Sequence, residues 1–126
     1  MVPMIEDSTT RLLGMALDAA VMRQQAIAQN IANANTPGYQ RIGVSFESRV
    51  AGLMDAAGQV RPPALSELAA YRPRLETLAP GNANQEVALD MELAQLSQTT
   101  LQHQALLKAL NKHLSVLGTA INEGKR

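Results

Sequence analysis

The chain has 126 residues with eleven acidic and eleven basic side chains, so its formal charge is zero and nothing in the balance draws it to nucleic acid or anionic lipid. It is 46 % hydrophobic but has no Trp, one Phe and two Tyr, so Ala and Leu carry the apolar surface, as in closely packed long helices and unlike a sandwich or an enzyme core. The absence of Cys excludes disulfides, thiolate metal sites and Cys nucleophiles together.

Residues 1–8, Met1 to Ser8, are acidic where a secretory signal is basic and lack a continuous apolar core, so they read as a flexible segment and not as a Sec signal. Ser8, Thr9 and Thr10 offer N-caps for a helix over roughly residues 9–34, about 39 Å long. Within it Leu13, Leu17, Ala20, Gln24, Ile27, Ile31 and Ala34 alternate by four and three, the spacing of a coiled-coil seam that only Gln24 interrupts. The helix has a specified stop. Thr36 before Pro37 is pushed out of the α region, and Pro37 with Gly38 suits the two central positions of a type II turn.

Residues 35–84 hold five of the six prolines and five of the eight glycines, so regular structure there is expected to be short. Phe46, Val50, Leu53 and Met54 share one helical face and predict a short helix near 46–55. Arg61-Pro62-Pro63 and Ala79-Pro80-Gly81-Asn82 read as irregular chain, with a strand near Tyr71 to Leu78.

A second long helix is expected over roughly residues 85–122, about 57 Å, which is too long for a small globule and suggests projection into a larger assembly. Asn84 would cap it, Glu86 and Asp90 favour its first turns, and residues 123–126 form a tail whose Gly124, Lys125 and Arg126 suit its end. Its seam is Leu89, Leu93, Leu96, Thr100, His103, Leu107, Leu110, Leu114, Leu117 and Ile121, again alternating by four and three. No window in the chain approaches the roughly 18 uninterrupted apolar residues of a membrane span.

The predicted fold is therefore all-α: two long terminal helices paired as an antiparallel coiled-coil-like hairpin around an irregular, Pro/Gly-rich middle. Pairing Ala34 with Leu93 and Ile31 with Leu96 sets Gln24 against His103, a polar layer that would fix the register. Layers containing Ala20 and Ala34 bury little area, so an isolated monomer is expected to be marginal.

Catalytic and ligand chemistry finds no support. There is no Gly-rich phosphate loop, HExxH or nucleophile elbow, and His103 and His113 are about 80° apart on a helix and share no face as metal ligands would. Asp90 and Glu92 near a helix start read as partners of the helix dipole and not as a catalytic pair. Neither cofactor nor metal is expected. Asn30 and Asn33 are open to two readings: solvated residues near a helix end, or amides that bond the returning loop or a neighbouring subunit.

The run from Arg23 to Tyr39, with Asn30-Ile31-Ala32-Asn33 and Thr36-Pro37-Gly38-Tyr39, resembles the N-terminal signature of the bacterial flagellar axial family, the rod and hook subunits. A second region, Glu92 to Gln104, places Glu92, Gln95, Leu101, Gln102 and Gln104 as in the C-terminal helix of that family's short rod members. His103 stands where Tyr is common, Thr99 where Asn is common, and Gln85-Glu86-Val87 where Asn-Thr-Val is common. The short length resembles the proximal-rod members, of which more than one kind exists, and a soluble coiled-coil adaptor or chaperone is the competing class.

The resemblance implies a structural subunit of the periplasmic basal-body rod, exported from the cytoplasm through the flagellar type III apparatus without a cleaved signal. It further implies neighbours among other flagellar rod subunits, a FliE-like adaptor, the export gate and the MS ring region.

Overall fold

The computed structural model describes residues 2–53, 63–78 and 89–124, with side chains from Ser8 onward except that of Leu65. The chain is mostly helical, with a long helix at each end and a small antiparallel sheet between them. Helix α1 spans Val2–Ala32 and helix α3 spans Leu89–Gly124, about 46 Å and about 54 Å long. Between them come strand β1 (Ile42–Ser45), the single-turn helix α2 (Glu47–Val50), 3₁₀ turns at Ala51–Leu53 and Leu65–Tyr71, and strand β2 (Arg74–Thr77).

Helix α1 starts well before the predicted residue 9. Nothing between Val2 and Ser8 stops a helix, because Pro3 falls in the first turn, where its missing N–H has no intrahelical partner to lose. Ser8 therefore lies inside the helix, buried, instead of capping it. At the other end the helix stops at Ala32, so Ala34 of the expected seam lies in the turn that follows. Gly38 has φ +75°, and the Tyr39 N–H donates to the Thr36 carbonyl at 3.2 Å, closing the turn that the sequence specifies.

The all-α expectation needs correction in the middle of the chain. Strands β1 and β2 pair antiparallel, with Ile42 opposite Thr77 and Ser45 opposite Arg74, and the Leu78 N–H extends the ladder to the Arg41 carbonyl at 2.9 Å. The strand expected near Tyr71 to Leu78 is present as β2. Strand β1 went unpredicted because Phe46 was assigned to a helix face, although Ile42, Val44 and Phe46 alternate with smaller residues at the strand period. A Cβ at Gly43 would meet Leu78 Cδ2 at 2.9 Å, so this strand position favours Gly. The short helix does follow, from Glu47 through Leu53; residues 54–55 of that expectation, like the Asn84 cap and residues 85–88, lie outside the described residues.

Helix α1 is the central element, in contact with α3, with both strands and with the Leu65–Tyr71 turn. Toward the sheet, Ala19 packs with Val44 and Phe46 in a small core flanked by Met15, Ala16, Met22 and Val50. Of the predicted seam of α1, Ala20 and Ile27 are buried and Leu13, Leu17, Gln24 and Ile31 half-buried, with Gln24 reaching Thr100 of α3. Small alanines make this two-sided burial possible, because a backbone can approach closely only where side chains are short.

Candidate functional site

The last turn of α1 presents Asn30 toward the returning chain. Its side chain is 1 % exposed: Oδ1 accepts from the Ile42 N–H at 3.0 Å and from the Tyr39 hydroxyl at 3.0 Å, while Nδ2 donates to the Ile42 carbonyl at 2.9 Å. The amide thus completes both backbone bonds of Ile42, as a neighbouring strand would. Arg23 continues the same edge one turn-pair earlier, its Nη2 donating to the Val44 carbonyl at 3.4 Å. The outer edge of β1 is closed by side chains of α1.

Asn33 plays a different part. Its Nδ2 donates to the Gln29 carbonyl at 2.9 Å and its Oδ1 accepts from the Thr36 hydroxyl at 3.2 Å, so it binds the helix end to the turn. Of the remaining motif residues, Ile31 is half-buried, Tyr39 is half-buried beneath its bond to Asn30, and Ala32, Thr36, Pro37 and Gly38 are exposed. These bonds join parts of one chain. The Asn-Ile-Ala-Asn and Thr-Pro-Gly-Tyr segments form a junction that returns the chain along α1 and seats β1.

Sequence reasoning missed the charged residues around this junction. The Arg41 Nε donates to Glu92 Oε1 at 2.5 Å, and the Glu92 side chain is 1 % exposed against 30 % for Arg41. Among the described residues Glu92 Oε2 accepts no hydrogen bond. Glu92 is thus a buried ion-pair partner as well as an acidic residue of the first turn of α3, beside Asp90. A faint signal existed: Arg41 lies two residues beyond one family motif, and Glu92 opens the other. Arg23 also grips Glu47 with both terminal nitrogens, at 3.0 and 2.6 Å. Arg49 donates to the Ser45 carbonyl at 2.7 Å, to the Ala70 carbonyl at 2.8 Å and to the Arg72 carbonyl, fastening α2 to the end of the second 3₁₀ turn.

On α3 the stripe with least exposure runs through Glu92, Leu96, Thr99, His103, Leu106, Leu110, His113 and Leu117. This corrects the predicted seam. Leu96, His103, Leu110 and Leu117 are common to both, but Glu92, Thr99, Leu106 and His113 take the inner places expected for Leu93, Thr100, Leu107 and Leu114. Thr100 stays at the border, half-buried, and its hydroxyl accepts from Gln24 Nε2 at 3.5 Å; the polar partner of Gln24 is Thr100 and not His103. Leu93, Leu107 and Leu114 are 54 %, 44 % and 47 % exposed, and Leu89 and Ile121 extend the bare line to both ends of the helix. Leu93, Leu107, Leu114 and Ile121 share one heptad position over about 42 Å, interrupted by the half-buried Thr100.

An open groove of about 450 Å³ lies beside Arg41, with Ile27 and Val44 at its base and Gln95, Gln98 and Gln102 of α3 among its lining. Among the described residues no group of three His, Asp or Glu could hold a metal ion, and no helix is long and apolar enough to cross a membrane.

The chain uses its polar motif in an internal junction and leaves a leucine stripe exposed on α3. Its class is given by residues 12–40, which match the family described as flagella basal body rod protein. Over nearly their whole lengths the relatives are of one kind. The flagellar basal body rod protein FlgB of Escherichia coli K12 is 29 % identical over 94 % of this chain and 96 % of its own length. That of Bacillus subtilis 168 is 29 % identical over 93 % and 95 %, and that of Cereibacter sphaeroides 31 % over 86 % and 92 %. The chain belongs to the FlgB family of basal-body rod proteins, and its role is structural, not enzymatic.

Proposed function

We propose that α1 and α3 form an antiparallel pair that stacks with its neighbours through the bare leucine stripe of α3, building the proximal part of the rod. The stripe is the observation that carries this reading. Burying it on a neighbour removes apolar surface from water, each leucine contributing on the order of 1–2 kcal/mol at the area left exposed in the monomer. The partners on this reading are other rod subunits, with a FliE-like adaptor, the export gate and the MS ring region at the rod's base. The subunit reaches the periplasm unfolded, through the flagellar type III apparatus.

The thin, alanine-rich contact between α1 and the rest of the chain suits that route. Few large side chains stabilise the isolated subunit, so it opens readily, and assembly adds the missing burial. The test is a density map of isolated basal bodies in which this chain can be traced. Expected is α3 lying against an adjacent subunit with Leu93, Leu107 and Leu114 at the contact. The reading fails if those three side chains face solvent while another surface makes the contacts.

A further inference from the structure

The sequence offers α3 two ways to face α1, and the fold takes the less apolar one. Both stripes share Leu96, His103, Leu110 and Leu117; the choice is between Glu92, Thr99, Leu106 and His113 on one side and Leu93, Thr100, Leu107 and Leu114 on the other. Moving from one set to the other is a rotation of α3 of less than one residue step, which is about 100°. Apolar burial alone favours the second set, because it would take three leucines out of water in place of one and would release a carboxylate to solvent.

A buried charge pair opposes this. Glu92 is buried in the occupied stripe with one carboxylate oxygen on the Arg41 guanidinium and the other without a hydrogen bond among the described residues. A carboxylate held in that way contributes little stability compared with an apolar side chain of similar size, but parting it from its cation leaves a buried charge unpaired. The backbone that carries Arg41 is anchored independently of α3: its carbonyl accepts from the Leu78 N–H, and both backbone groups of its neighbour Ile42 are held by Asn30.

We infer that the Arg41–Glu92 pair is a rotational lock: it sets the face that α3 turns to α1 and so keeps the Leu93, Leu107 and Leu114 stripe outward for the neighbouring rod subunit. Arg41 and Glu92 are positioning residues, acting on the docking face without belonging to it. The inference rests on the stripe being the docking face, but the rotation can be measured without any assembly. It also relates the two regions physically, since Asn30 of one motif anchors the chain beside Arg41, and Arg41 holds the Glu92 that opens the other.

The chain has no Cys, so single cysteines can report on the exposure of each stripe. Leu106→Cys and Leu107→Cys are labelled with a thiol reagent in the otherwise native chain, in Glu92→Leu, and in the charge-exchanged Arg41→Glu/Glu92→Arg. In the native chain position 107 is expected to react faster than position 106. In Glu92→Leu that ratio is expected to fall below one with helicity retained, and in the exchanged chain to return above one. An unchanged ratio in Glu92→Leu overturns the lock. Loss of helicity in Glu92→Leu also overturns it, since the pair would then be a general support of the fold; Glu92→Gln, which keeps the shape, must in that case lose helicity to a lesser degree. Failure of the native chain to dock through the stripe would leave the labelling ratios as they are and count against the stacking reading alone.

Discussion

Helices α1 and α3 follow the same spacing rule in sequence but are used differently. Helix α1 is in contact with the sheet, the Leu65–Tyr71 turn and α3, its Ala19, Ala20, Ala26 and Ile27 are buried, and its terminal Asn30 is bonded within the chain. Helix α3 is covered on one side, and Leu93, Leu107, Leu114 and Ile121 remain in water. Heptad spacing alone does not separate the two cases. Residue size does: α1 has alanine where it is enclosed, whereas α3 has leucine where the isolated chain leaves it bare, and large exposed apolar stripes mark surfaces meant for another protein.

The widest contrast is expected from placing the same charge on each helix. Ala20 has no exposure, so Ala20→Glu puts an unpaired carboxylate into an enclosed position of α1. That costs several kcal/mol against a total stability of about 5–15 kcal/mol, and the far-UV circular dichroism of the isolated chain should show loss of helix. A retained helical spectrum would mean that α1 is not enclosed as described.

Arg41→Ala sharpens the role of the junction. It leaves the Glu92 carboxylate buried without its cation, and a loss of about 3–5 kcal/mol in urea unfolding is expected. Asn30→Ala comes next. Both backbone groups of Ile42 and the Tyr39 hydroxyl lose their partner, at a cost of about 3 kcal/mol, and hydrogen exchange at the Ile42 amide should accelerate together with that loss. Protection of that amide at the native level would show that it has another partner. Gly38→Ala, at φ +75°, is expected to cost about 1 kcal/mol by the same unfolding measurement, because an L side chain is strained there.

The sequence made the two helices, the turn after α1 and strand β2 legible, because periodicity and the Thr-Pro-Gly signal are local. The start of α1 was not legible: Ser8, Thr9 and Thr10 have capping chemistry, but a continuing helix left them no end to cap. The facing of α3 was not legible either. Two overlapping stripes satisfy the same spacing, and the one used holds a Glu whose partner is 51 residues away. The junction was half legible: the motif gave the residues, and the choice of the returning loop over a neighbouring subunit came from geometry. Long-range pairs such as Arg23 with Glu47 and Arg41 with Glu92 leave no periodic trace.

The most direct measurement of the difference between the helices is the double substitution Leu107→Glu/Leu114→Glu, followed in the isolated chain and in assembled basal bodies. Both side chains lie near half exposure, so the isolated chain is expected to unfold within about 0.5 kcal/mol of the native protein per site. The same chain is expected to be missing from isolated basal bodies. Incorporation at the native level, or collapse of the isolated chain's helices, would contradict a division in which α1 is used up inside the subunit and α3 is kept for its neighbours.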